Sequence, residues 1–220
     1  MKSYFLNAAW NNLIMANYAV PSDILLPFLH YGTVLDSFQG KTYVSLVGFM
    51  FMNTKMMGLT VPYHVNFEEV NLRFYVKNNA SGTWRSGVSF IKEIVPKPAI
   101  TLIANSLYKE KYATMKMRHF QHDKGGVVET GYEWKFKNKW NKISAVSEKK
   151  SLPSVTIKPI SLIQAISSRG KYTSLIIPWL MVNETLDALF SDLPIPSLEL
   201  DVHFASTPGA PGAFLFGIKF

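Results

Sequence analysis

Polar and apolar residues alternate between Asn66 and Val76, and this period of two constrains the fold more than any other feature of the sequence. Successive side chains of a strand point to opposite faces, so the segment is predicted to be a β-strand with two different faces. One face carries Glu68, Val70, Leu72, Phe74 and Val76 and is predicted to pack in a core, and the other carries Phe67, Glu69, Asn71, Arg73 and Tyr75. The turn residues at 78–82 and the run from Trp84 to Ile94 complete a predicted hairpin.

Other segments indicate that antiparallel strands dominate the chain. Residues 42–52 are almost continuously apolar, which is typical of a strand buried on both faces. Residues 114–122 and 127–137 alternate on either side of a turn at Asp123-Lys124-Gly125-Gly126, which favours a hairpin. Residues 96–108 place apolar side chains at helical spacing. We therefore predict an α+β fold, in which an antiparallel β-rich barrel or sandwich is covered by a few helices.

The composition excludes several kinds of site. Cysteine is absent from the 220 residues, so disulfides, thiolate zinc sites and cysteine nucleophiles are excluded. No pair among the five histidines has the spacing of metal ligands, and we predict neither a metal nor a cofactor. The first residues lack the uninterrupted apolar region of a signal peptide, and the most apolar run, at 43–52, is too short to span a bilayer. We therefore expect a cytoplasmic protein.

Three stretches of this chain resemble stretches that occur in the same order in a known family. They are residues 35–49 (LDSFQGKTYVSLVGF), residues 67–76 (FEEVNLRFYV) and residues 104–117. Together they resemble the uncharacterised YqjF-like family, a domain of unknown function thought to share the fold of acetoacetate decarboxylase. The resemblance implies a single domain over residues 1–220, in which residues 152–198 diverge from the family. It also implies a fold that encloses a pocket, and it implies no established reaction.

The resemblance suggests which residues to compare with acetoacetate decarboxylase, which uses a Schiff-base lysine, a neighbouring lysine and a pocket glutamate. Glu69 falls where that glutamate would lie, and Tyr112 occupies the position of the lysine nucleophile, with Lys109 and Lys111 nearby. A desolvated lysine beside a second cation is nucleophilic at neutral pH. These four residues are therefore the candidate catalytic residues, and a Schiff-base lysine decarboxylase or lyase is one alternative function.

The polar row on the 66–76 strand has two interpretations. It is either an outward polar face with a weak ion pair, or a buried cluster that orients the carboxylate or carbonyl group of a ligand. The second interpretation makes Glu69, Asn71, Arg73, Tyr75 and His64 the candidate ligand-binding residues. It predicts a small-molecule-binding protein, or an enzyme of unidentified reaction, whose ligand is a small carbonyl or carboxylate compound.

The net charge of +8 and a basic run near Trp140 raise nucleic-acid binding as another alternative. Four lysines, at positions 135, 137, 139 and 142, are interleaved there with aromatic residues. Val128, Thr130, Tyr132, Trp134 and Phe136 form one apolar stripe that is predicted to face the core, which leaves only Trp140 free to stack on bases. We therefore predict a solvated hairpin end and no nucleic-acid or membrane partner. The expected partner is a small molecule, and assembly into a homo-oligomer is left open.

Overall fold

The computed structural model describes residues 6–56, 58–80, 82–108 and 110–148. The strands are β1 (Leu6–Val20), β2 (Thr33–Leu35), β3 (Thr42–Met56), β4 (Phe67–Ala80), β5 (Thr83–Val95), β6 (Tyr112–Thr114), β7 (Met117–Asp123), β8 (Val127–Phe136) and β9 (Lys139–Glu148). The helices are α1 (Ser22–Leu25), which continues into a 3-10 turn at Leu26–Phe28, and α2 (Pro98–Tyr108). The predicted β-rich α+β fold is confirmed, and the predicted divergent segment 152–198 lies outside the described residues. Within the described ranges no helix has the length and apolar character needed to cross a membrane.

The strands form two sheets. The first has the order β1-β3-β4-β5-β6, with β2 also paired to β4, and the second has the order β7-β8-β9. Neighbouring strands are antiparallel except for β5 and β6, which are parallel and connected by α2. A parallel pair needs a crossover connection of this kind, because the chain must return to the end at which the first strand began.

The two faces of the first sheet have different neighbours. The packed face, which carries Leu72 and Phe74 of β4, lies against Tyr132 and Trp134 of the second sheet in one buried core. The polar face, on the other side of β4, carries Glu69, Asn71 and Arg73. The apolar stripe of β8 is therefore in the core as predicted, since Val128, Thr130, Tyr132 and Trp134 are buried. Phe136 packs against the part of the core that contains Tyr132 and Trp134.

Several features differ from the sequence predictions. The strand β1 was not predicted, because four asparagines interrupt its apolar residues, and bulges accommodate the irregularity near Asn11. The strand β9 was not predicted either, and a turn at Lys137 and Asn138, both with positive φ, joins it to β8. The expectation that Trp140 stays free is wrong, because the Arg118 guanidinium lies 4.3 Å from the centroid of its ring.

A glycine sets how closely the two sheets approach. Gly48 lies in β3 on the packed face, and a Cβ atom at this position would be 2.6 Å from Cδ2 of Tyr132. The Tyr132 ring cannot easily move away, because its hydroxyl donates a hydrogen bond to the carbonyl of Asn12 at 2.8 Å. The sheets therefore pack at a distance that only glycine permits at position 48.

We predict that Gly48→Ala lowers the free energy of unfolding by about 1–3 kcal/mol, because the added methyl group overpacks the contact with Tyr132. Chemical denaturation followed by tryptophan fluorescence measures this change. The matched control is Gly87→Ala in β5, where the new Cβ atom would be 4.0 Å from Val76 and meets no obstacle. The control is expected to change stability by less than about 0.5 kcal/mol. Equal effects of the two substitutions would contradict this account.

Candidate functional site

Strand pairing brings polar residues from three strands together on the polar face. In β4, Glu69, Asn71 and Arg73 point to the same side because they are two residues apart. Asn71 lies opposite Glu93 of β5, and Glu93 lies opposite Tyr112 of β6. These five residues are called the polar cluster below. They are all buried except Tyr112, which is partly buried.

Glu69 is the centre of the hydrogen bonds in the polar cluster. The Asn71 side-chain amide donates to Oε1 of Glu69 at 3.0 Å, and the Tyr112 hydroxyl donates to Oε2 at 3.1 Å. Asn105 of α2 holds the Tyr112 backbone with two hydrogen bonds of 2.9 Å, one to its N–H and one to its carbonyl. The helix therefore fixes the tyrosine that orients Glu69.

Three side-chain atoms of the polar cluster are buried without a hydrogen-bond partner among the described residues. They are Oδ1 of Asn71, Nε of Arg73 and Oε2 of Glu93. Buried polar groups in folded proteins are nearly always paired, and leaving one unpaired costs about 1–3 kcal/mol. The three atoms belong to neighbouring residues of β4 and β5, so this face has hydrogen-bonding capacity that the described residues do not meet; in the packed core, Tyr18 and Trp134 also have one such atom each.

The two carboxyls of the polar cluster favour their protonated forms. Burial raises the pKa of Glu69 to about 7, although hydrogen bonds from Asn71 and Tyr112 and the charge of Arg73 oppose the rise. Burial, together with the negative charges of Glu69 and Glu110, raises the pKa of Glu93 to about 9. The pair therefore loses its first proton near neutral pH, with Glu69 as the ionised member, and keeps the second.

Arg73 is the positive charge of the polar cluster. Burial lowers the pKa of its guanidinium, while Tyr75 and Glu69 favour the charged form. The Tyr75 hydroxyl lies 2.7 Å from Oγ of Ser45, which in turn hydrogen-bonds to Asn17, so a buried chain of polar groups extends from Arg73 to β1. No acidic oxygen lies within 4 Å of Arg73 in the described part of the chain, so its charge has no close counter-ion there.

The structure brings together some of the residues identified from the sequence and separates others. Glu69, Asn71, Arg73, Tyr75 and Tyr112 share the polar face. His64 lies apart from them. It is half-buried in the turn before β4, where Nδ1 of its ring lies 2.9 Å from the carbonyl oxygen of Pro62. Lys111 is exposed, with its ammonium 5.3 Å from the centroid of the Phe28 ring. Lys109 lies outside the described residues.

Glu93 was missed by the sequence analysis. The alternation of side chains along β5 could have assigned Glu93 to a face. However, a bulge in β5 between the partners of Leu72 and Arg73 shifts the register by one residue. A regular hairpin would have placed Lys92 opposite Asn71 instead. The sequence therefore indicated the strand and not the face on which its glutamate lies.

A second location with clustered side chains lies on the outer face of the second sheet. A cavity of about 410 Å³ there is lined by residues that include Arg118, Phe120, Glu129 and Glu133. Arg118 forms an ion pair with Glu133, and Lys124 forms one with Glu129, so these charges are already paired at the surface. The polar cluster, with its unpaired buried atoms, is the stronger candidate site. Across the described ranges no group of three or more histidine, aspartate and glutamate side chains could hold a metal ion.

One protein family matches most of the chain, including the three stretches that resemble a known family. A family of uncharacterised conserved proteins, DUF2071, matches residues 7–168. The chain belongs to this family. The DUF2071 match includes all five residues of the polar cluster and confirms the resemblance inferred from the sequence. No curated protein matches the chain in sequence.

Comparison with solved structures finds three that are similar to this DUF2071 member. Acetoacetate decarboxylase from Legionella pneumophila is 10% identical, with a TM-score of 0.50 over 70% of this chain and 55% of the decarboxylase. An acetoacetate decarboxylase-like enzyme from Sphingomonas wittichii is 13% identical, with a TM-score of 0.48 over 69% of this chain and 62% of that enzyme. The enduracididine biosynthesis enzyme MppR complexed with pyruvate is 12% identical, with a TM-score of 0.49 over 70% of this chain and 62% of MppR. The likeness to the decarboxylase shows a shared fold, and the chain spans little more than half of that enzyme's length.

We predict that the free energy of unfolding falls as the pH rises from about 4.5 through about 9, because Glu93 is protonated in the folded state over a range in which it is ionised when unfolded. In Glu93→Gln this contribution is absent, and the fall between pH 5 and pH 9 should be smaller by about 2 kcal/mol or more. Urea denaturation at a series of pH values measures the difference.

The control for this prediction is Glu129→Gln on the second sheet. A hydrogen bond from Lys124 lowers the pKa of Glu129. Replacing Glu129 should therefore not flatten the alkaline part of the stability profile. A Glu93→Gln profile parallel to that of the unmodified protein would show that Glu93 is ionised in the folded state.

Proposed function

We propose that the chain binds a small carboxylate or carbonyl compound at the polar cluster. The observation that carries this proposal is the set of three buried atoms without partners, on Asn71, Arg73 and Glu93. A ligand that hydrogen-bonds to these atoms would remove a penalty of about 1–3 kcal/mol for each of them. Sites for small molecules have this character, with a few convergent polar groups in apolar surroundings.

The apolar surroundings come from the same face of the first sheet. Val47, Phe49, Phe51 and Phe67 are buried beside the polar cluster, and Ile100 of α2 packs against them. In such surroundings a charge-assisted hydrogen bond is stronger than in water. A small ligand held there by Arg73 would therefore gain more from each polar contact than a ligand on an exposed surface.

The charge of the polar cluster favours an anionic or a neutral polar ligand. Arg73 is positive, Glu93 is protonated near neutral pH, and Glu69 changes its protonation state there. The sum is therefore between zero and one positive charge, which suits a monoanion such as a carboxylate. Glu69, oriented by Tyr112, is the group whose pKa is suited to accepting or releasing a proton near pH 7, and we assign it the role of general acid or base in any reaction of the ligand.

We predict that pyruvate or propionate binds the protein and that Arg73→Gln weakens the binding by about tenfold, since the variant removes a charge-assisted hydrogen bond. Ligand-observed NMR measures the affinities, and circular dichroism confirms that the variant is folded. The matched control is Arg85→Gln in the exposed part of β5, which should leave the affinities unchanged. Equal losses in the two variants, or no binding at all, would refute a site at Arg73.

The pH dependence of binding follows from Glu69. As the pH rises through about 7, Glu69 becomes negative and repels an anionic ligand, so the affinity should fall. In Glu69→Gln the affinity should stay constant over the same range, because the residue at this position no longer ionises. Titrations of pyruvate between pH 5.5 and pH 8 test this, since pyruvate stays ionised and Glu93 stays largely protonated over this range. A fall of equal size in the variant would place the titrating group elsewhere.

The positions of Tyr112 and Lys111 favour acid–base chemistry by Glu69 over a Schiff base formed by a lysine. Tyr112 lies beside Glu93 in β6, and the adjacent Lys111 directs its ammonium over the Phe28 ring. We therefore expect no stable adduct when the protein is treated with acetoacetate or pyruvate and then reduced with borohydride, with acetoacetate decarboxylase as the positive control. Mass spectrometry detects the adduct, and a modified Lys109 or Lys111 would support the Schiff-base alternative instead.

A further inference from the structure

The hydrogen bonds of Asn71 fix the direction in which its side-chain amide points. Its NH₂ group donates to Oε1 of Glu69, and an amide NH₂ group can only donate. The carbonyl end of the amide therefore faces away from Glu69. This end, Oδ1, is the buried atom without a partner, and a carbonyl oxygen can only accept a hydrogen bond.

Arg73 presents the opposite requirement two residues along the same strand. Its Nε atom has no partner among the described residues, and a guanidinium nitrogen can only donate. Two residues on one face of a strand are about 7 Å apart. The polar face thus has an acceptor and a donor, both unpaired and buried, within reach of a molecule of a few heavy atoms.

We infer that the ligand of the polar cluster is a small hydroxy carboxylate, whose carboxylate accepts from Arg73 and whose hydroxyl donates to Asn71. This inference rests on the proposed function and specifies its ligand class. An oxo acid has only acceptors and would leave Oδ1 of Asn71 unpaired. An ammonium group could donate to Asn71, but its positive charge would lie close to the guanidinium of Arg73.

Glu93 can complete the contact with such a ligand. It lies opposite Asn71 in the pairing of β4 and β5, and its Oε2 atom is also unpaired. Side chains directly opposite each other in neighbouring strands have Cβ atoms about 5 Å apart. A protonated carboxyl both donates and accepts, so Glu93 can bind either the hydroxyl or the carboxylate of the ligand.

The inference is tested by comparing affinities within two matched sets of compounds. One set is lactate, pyruvate and propionate, and the other is 3-hydroxybutyrate, acetoacetate and butyrate. Ligand-observed NMR competition at pH 6.5 gives the ratio of affinities in each set. We expect the hydroxy acid of at least one set to bind about tenfold or more tightly than its oxo and unsubstituted analogues, because only the hydroxyl satisfies Asn71.

Asn71→Leu separates this preference from binding itself. In the variant the hydroxy acid should lose its advantage, so that its affinity relative to the unsubstituted acid falls to about one. The matched control is Asn141→Leu, which makes the same change at a buried asparagine of the second sheet and should preserve the preference. If Asn71→Leu does not fold, the ratios measured with the unmodified protein still decide the question.

The outcomes distinguish this inference from the proposed function. If oxo or unsubstituted acids bind as tightly as the hydroxy acids, and Arg73→Gln weakens all of them, the proposed function stands and the hydroxy-acid inference is wrong. A preference that persists in Asn71→Leu also refutes the inference, because another group must then accept from the hydroxyl. If no compound of either set binds, both proposals fail.

Discussion

Arg73 pairs with Phe90 of β5 while the preceding residue, Leu72, pairs with Lys92, so Ile91 has no partner in β4. The bulge determines which side chains share the polar face, because a shift of one residue exchanges the two faces of a strand. Lys92 is directed to the packed face, where its ammonium lies 5.5 Å from the centroid of the Phe136 ring. Glu93 takes its place opposite Asn71, and the site therefore contains two buried carboxyls and no lysine from this strand.

Two buried carboxyls beside one guanidinium are costly to fold, since each ionised group loses its hydration. The structure limits the cost by keeping one proton on the pair and by directing two donors at Glu69. The packed face supplies the compensating stability, because Trp134 and Tyr132 are fully buried there against the apolar residues of the first sheet. The two faces of the sheet thus differ, because the packed face stabilises the fold and the polar face carries the proposed site.

The residues of the polar cluster differ in how far the sequence could predict them. Alternation is a local property, so Glu69, Asn71 and Arg73 could be assigned to one face from the sequence of β4 alone. The neighbours of these residues depend on pairing between strands. Glu93 reaches the polar face through a bulge, which has no reliable local signal, and Tyr112 reaches it through the parallel crossover, which the sequence did not predict. The resemblance to a family located Tyr112, and it could not show the contact with Glu69.

The side chain of Asn105 has a consequence for the edge of the first sheet. Its amide accepts from the N–H of Tyr112 and donates to the carbonyl of the same residue, as a neighbouring strand would. Exposed strand edges attract other strands and promote aggregation, and proteins protect them by covering or pairing the free backbone groups. Asn105 occupies both groups that Tyr112 would offer to a seventh strand. The contact that holds Tyr112 beside Glu69 therefore also prevents another strand from pairing with the sheet at that residue.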